Sequence, residues 1–239
     1  MASKTGEKVI IERPERFTLS GLHAVKFKVY LPSSDVNGVY SRLINLSSHG
    51  LAFDLATMET PLQKEQKLKA EITLDSELIH LNLNVRHLDA AVGCRIENAD
   101  EKFRELVENF FINEMAAEQL VEVTCINTAT NGGQLHQYVG SSNAFALSYV
   151  DKDGQITNVH LTLMGSTIKM DDQKQIEYGF YIEGLNPAPE NIVHIKVQDL
   201  PDEMINHALR FIWNIQAVPA NIKRTIMNML EDSRHKKIA

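Results

Sequence analysis

Asn45, Ser47 and Gly50 punctuate a stretch otherwise built for strands. Residues 42–53 run through Leu43, Ile44 and Leu46 on one side and Leu51 and Phe53 on the other. Apolar runs flanking a short polar step read as strand, tight turn, strand. An Asn at the head of a turn can fold its side chain onto backbone N–H groups two residues on. The Ser47 hydroxyl can donate or accept. Gly50 permits a positive φ, or a close approach of a ligand to the backbone. A chain with such a hairpin near its start is expected to build a β-rich domain around it.

The flanking segments agree. In residues 24–30, Val25, Phe27 and Val29 alternate with Lys26 and Lys28, the period of a half-buried strand. Residues 67–74 and 78–85 alternate in the same way, and the Asp75-Ser76 step between them suits a hairpin. A further strand is expected over residues 92–97. Asp100 then stands as the N-cap of a helix, with Glu101 at its positive end. Phe103, Leu106, Val107, Phe110 and Phe111 form one apolar stripe that should lie on the sheet, and the helix is expected to run on to Glu118. The domain boundary is placed near residue 118.

The second half reads as another mainly β domain, residues 119–239, ending in two helices. Strands are expected over 120–126, 143–150 and 156–164. Asp151-Lys152-Asp153-Gly154 is read as a hairpin turn, because the further acidic ligands of a calcium loop are missing. The run Val92-Gly93-Cys94-Arg95-Ile96-Glu97 is echoed by Tyr178-Gly179-Phe180-Tyr181-Ile182-Glu183, each followed by a helix that opens at an Asp: Asp100, then Asp202. This leaves open a degenerate internal repeat. Residues 220–233 after Pro219 form the last helix, and a basic Arg234-His235-Lys236-Lys237 tail follows.

Length and composition bound the function. A chain of 239 residues is long enough for two domains. Its net charge of −7 argues against wholesale nucleic-acid binding, which needs a basic face, but leaves room for a small anion held by a local Arg cluster. No apolar run approaches a membrane span, and the first residues lack the apolar core of a signal peptide, so a cytoplasmic protein is expected. Cys94 and Cys125 are expected as reduced residues of strands. No His set has metal-ligand spacing. No nucleophile context, glycine-rich phosphate loop or paired carboxylates stand out, so no enzyme is expected and no cofactor.

Upstream of the first strand lie Arg13 and Arg16. Together with Asn45-x-Ser47-x-x-Gly50 and the strand order that follows, they resemble the PilZ domain, the bacterial receptor module for cyclic di-GMP. The resemblance covers roughly the first half of the chain. It implies a barrel of about six strands with a helix at its C-terminal end. It also implies that Arg13 and Arg16 meet phosphate and guanine, while Asn45, Ser47 and Gly50 form the floor. Arg suits this ligand because its planar fork pairs bidentately with phosphate or guanine and stacks on purines. The implied role is an effector that turns the second-messenger level into contact with an unknown protein partner, in motility, surface attachment or pili. The alternative is a degenerate PilZ adaptor that does not bind the nucleotide. Here Arg13 and Arg16 stand three apart with Pro14 between them, where the family's arginines stand four apart. In extended chain that spacing puts the two side chains on opposite faces, and Arg16, nearer the first strand, is the better fixed. Arg86 is a solvated strand charge that could line the ligand face, and His49 a turn residue that could stack on a base.

Overall fold

The computed structural model describes residues 16–31, 38–54, 61–123, 133–140, 144–171, 175–181, 192–195 and 200–235. The chain divides into two compact units, Met1–Phe110 and Phe111–Ala239.

The first unit contains β1 (Phe17–Thr18), β2 (Val25–Tyr30), β3 (Val39–Tyr40), β4 (Leu43–Ser47), β5 (Gly50–Asp54), β6 (Lys67–Leu74), β7 (Glu77–Leu88), β8 (Ala91–Ile96) and α1 (Glu101–Phe110). They form one sheet in the order β1-β4-β5-β8-β7-β6-β2-β3. Alternation decides which side is core: Leu68, Ala70, Ile72 and Leu74 of β6 are buried, as are Leu81, Leu83 and Val85 of β7. The sheet must curl, because its two ends are joined by two residues. Ser41 N–H donates to the Phe27 carbonyl of β2 at 3.1 Å, while the Arg42 carbonyl accepts from Asp54 N–H of β5 at 2.9 Å. Neighbouring residues thus bond to strands near opposite ends of the sheet, which closes it as a barrel does. Six strands of five residues or more carry the barrel, and β1 and β3 add two residues each.

The β6–β7 turn falls where expected, with Asp75 at φ 52°. Asp100 caps α1: its Oδ1 accepts from Phe103 N–H at 2.8 Å. Phe103, Val107 and Phe110 are buried on one helical face, and the Phe110 ring lies 5.9 Å from the His23 ring.

The expected helix to Glu118 is interrupted. Phe111 leaves helical geometry (φ −99°, ψ 13°), and a separate α2 (Ile112–Glu118) follows. The division therefore falls at Phe110/Phe111 rather than near residue 118. Within the second unit, Glu114 of α2 forms a buried pair with Arg210.

That unit continues with β9 (Val121–Val123), β10 (Gln134–Val139), β11 (Phe145–Lys152), β12 (Gln155–Leu163), β13 (Ser166–Met170), β14 (Ile176–Tyr181), β15 (Ile192–Ile195), α3 (Asp202–Asn214) and α4 (Ala220–His235). Its strands form a second sheet in plain sequence order, each pairing with its chain neighbour. Asp153 (φ 54°) and Gly154 (φ 82°) make the β11–β12 hairpin turn, with Asp151 Oδ1 accepting from Gly154 N–H at 2.9 Å. Ile205, Leu209 and Ile212 of α3 are buried, and Phe211 meets Phe145 of β11 at 5.8 Å. Asp202 is the first helical residue; Pro201 occupies the cap position without a side-chain bond.

The two sheets do not share a connectivity. In the first, β8 lies between β5 and β7; in the second, β14 lies between its sequence neighbours β13 and β15. The Gly-x-x-Ile-Glu echo is thus local, and its Ile182 and Glu183 lie outside the described residues, as does Cys125. Among the described residues no helix is long and apolar enough to cross a membrane.

Candidate functional site

The β4–β5 hairpin turns through Ser48 and His49, between the paired Ser47 and Gly50. The Ser47 hydroxyl accepts from Gly50 N–H at 3.1 Å and donates to the Gly50 carbonyl at 3.0 Å. Ser47 is 2% exposed, so its hydroxyl is spent on its own turn rather than presented to solvent. The tip is tied down as well, since the His49 carbonyl accepts from Ile96 N–H at 2.9 Å.

Gly50 is required for a different reason from the one expected. Its φ is not positive. A Cβ there would stand 2.7 Å from the Cys94 carbonyl oxygen of β8. The close approach is therefore by a neighbouring strand, and the absent side chain also leaves the outer face open.

Register shows what surrounds that opening. Gly50 pairs with Ser47 on one side and Arg95 on the other. On β1, Phe17 pairs with Leu46 and Thr18 with Asn45, so one residue further along Arg16 stands opposite Ser47. The result is a row across four strands, Arg16–Ser47–Gly50–Arg95, all on one face. The next row holds Asn45, Ala52 and Gly93. Small residues thus make a flat floor, and the long side chains stand at its ends.

A bulge adds to the rim. Val85 pairs with Cys94 and His87 with Gly93, leaving Arg86 as the extra residue of β7. Strict alternation would turn His87 inward and set it opposite His80 in face. The bulge restores it to the outer face, where a Cβ on Gly93 would meet the His87 Cβ at 3.3 Å. A cleft of about 400 Å³ results, lined among others by Arg16, Ser47, His49, Gly50, Arg86, His87 and Arg95.

Its electrostatics are one-sided. Among the described residues three arginines and two histidines line it and no carboxylate does, in a chain of net charge −7. Arg86 is held by an ion pair with Glu65. Glu97, one residue past the end of β8, accepts from the Asn84 amide at 3.3 Å and lies 3.4 Å from Lys67. Asn84 and Lys67 hold its carboxyl below the usual range. Arg16 and Arg95 are exposed. Cys94 points to the core, and burial pushes its thiol up to about 12.

The structure thus brings together Arg16, Ser47 and Gly50 of the expected set. Asn45 sits in β4 beside the cleft, paired with Thr18 and Ala52, rather than at the head of the turn. Arg13 lies outside the described residues. Sequence reasoning named Arg86 and His49 and missed His87 and Arg95. Among the described residues no group of His, Cys, Asp or Glu gathers that could hold a metal.

Residues 13–113 match the family model of the PilZ domain. The match lies in the N-terminal half of this chain. A crystal structure of an uncharacterized Legionella protein is also similar, with 18% sequence identity and a TM-score of 0.28, covering 42% of this chain and 91% of that one. No curated protein matches the chain. PilZ domains are binding and adaptor modules rather than enzymes, and no catalytic family is indicated.

Proposed function

We propose that this protein is a cyclic di-GMP receptor whose PilZ domain binds the dinucleotide on the outer face of its barrel, over Ser47 and Gly50. The observation that carries the reading is the row Arg16–Ser47–Gly50–Arg95: cations at both ends, only small residues between them, and, among the described residues, no carboxylate lining the cleft. A flat ligand with two phosphates and two purines suits such a surface. Arginine pairs with phosphate and stacks on purine, and the floor admits the macrocycle without a clash. Asn45 supplies a polar edge to the floor, and Arg13 would approach from the entry segment. Ligand binding would be read by a protein partner, with motility, surface attachment or pili as the outputs the family suggests. A cytoplasmic location fits a second-messenger receptor.

Isothermal titration of the purified chain with cyclic di-GMP is the test. Saturable heat, with affinity weakened by Arg16→Ala, is the expected result. Absence of heat and of any shift in melting temperature with ligand in large excess would overturn it and favour an adaptor that works by protein contact alone.

A further inference from the structure

We infer that Arg95 is the second arginine of the ligand site, set across the floor from Arg16; this deepens the reading of the cleft as a cyclic di-GMP site and rests on it. The sequence offers Arg13 for that role. Yet Arg13 precedes Arg16 by three residues with Pro14 between them, and Pro14 biases Arg13 toward extended geometry, where a spacing of three faces the two side chains apart. A ligand with two phosphates still needs a second cation. The sheet provides one from a strand far along the chain.

Arg95 is the cross-strand partner of Gly50. Its other cross-strand neighbour is Asn84, whose amide is committed to Glu97. Neither neighbour neutralises it. Arg95 is exposed, lines the cleft, and among the described residues makes no ion pair or hydrogen bond. With strands about 4.8 Å apart, the Cα atoms of Arg16 and Arg95 lie about 14 Å apart along the sheet, three strand steps. Two arginines reaching inward from those points can each hold one side of a dinucleotide resting on Ser47 and Gly50. Arg86, also in the cleft, is the weaker candidate because Glu65 already pairs with it. Using it would require breaking that pair.

The same titration, on the full chain and with cyclic di-GMP as the probe, separates the possibilities. Arg95→Ala is expected to weaken binding roughly 10- to 150-fold, the usual loss for a charge-assisted contact. Arg95→Lys should recover only part of this, since an ammonium cannot reproduce the planar fork. Arg86→Ala should lose less than Arg95→Ala. Arg42→Ala, which removes an exposed arginine paired with Asp54 outside the cleft, reports the effect of bulk charge and should stay close to the parent. Arg95→Gln replaces Arg95→Ala if the latter fails to give a native melting transition. A parent that binds together with an Arg95→Ala that binds equally well overturns this assignment and leaves the receptor reading standing. A parent that does not bind overturns both.

Discussion

Arg210 lies fork to fork against Glu114, with Nε donating to Oε1 at 2.6 Å and Nη2 to Oε2 at 3.0 Å. Their side chains are 2% and 6% exposed. A buried pair adds little over well-packed apolar residues, but breaking it strands a charge, at a cost of about 3–5 kcal/mol. Arg210→Met is therefore expected to lower the unfolding free energy of the second unit by about that amount, whereas replacing both partners by Leu should restore most of it. Urea unfolding followed by circular dichroism reads both. Equal stability of Arg210→Met and the parent would show that water reaches Glu114.

The same pair predicts where the chain can be cut. A fragment of residues 111–239 keeps Glu114 with Arg210, and one of residues 119–239 does not. The longer fragment should give a cooperative melt; the shorter should precipitate or melt well below it. Identical melts would return the boundary to residue 118.

Gly50 and Ser47 hold the hairpin. Gly50→Ala sets a Cβ against the Cys94 carbonyl, 2.7 Å away. The overpacking is expected to cost about 1–3 kcal/mol, because backbone cannot step aside as a flexible side chain would. Ser47→Ala leaves the Gly50 N–H without its side-chain acceptor, at a similar cost of about 1–3 kcal/mol. Chemical unfolding of the two variants checks this. If Gly50→Ala is as stable as the parent, β5 and β8 are farther apart than described.

Much of this was legible. Alternation located β6 and β7, and Asp75 and Asp153-Gly154 marked their hairpins because those residues tolerate positive φ. Two features left no local signal. The bulge at Arg86 is an insertion in register, and nothing in the composition of β7 announces it, so strict alternation places His87 on the wrong face. The pairing of Gly50 with Arg95 joins strands separated in sequence by β6 and β7, and spacing arguments reach only neighbours. The break at Phe111 was hidden for the opposite reason: the apolar stripe continues through it, since Phe111 is itself buried. Just past the break, Glu114 pairs with Arg210, a partner too far along the chain for spacing arguments to reach.

Cys94 gives a pH prediction. Burial raises its thiol to about 12, above the ordinary value of about 8.5 found in an unfolded chain. The folded state keeps the proton where the unfolded state releases it. This contribution to stability is fully present below the unfolded value and is lost as pH rises toward the folded one. Between about pH 9 and 12 the melting temperature should fall, and Cys94→Ala should fall less steeply. In a Cys125→Ser background, a thiol reagent at pH 8 should leave Cys94 unmodified until denaturant is added. Prompt modification in the native state would show that the core side of β8 is open.

Arg16 and Arg13 should differ in weight. Arg16 directly precedes β1, and the pairing of Phe17 and Thr18 with β4 fixes its Cα beside Ser47. Arg13 must reach the cleft through a segment stiffened at Pro14. A cation held in place by strand pairing loses little entropy on binding. Removing the anchored contact should therefore cost more of the observed affinity. Arg16→Ala is expected to weaken cyclic di-GMP binding by about 1.5–3 kcal/mol, roughly 10–150-fold, and Arg13→Ala by less. Titration of both variants beside the parent, at one salt concentration, makes the comparison. If Arg13→Ala proves the more damaging, the ligand sits nearer the entry segment than the Ser47–Gly50 floor, and the register that places Arg16 there is not the one the complex uses.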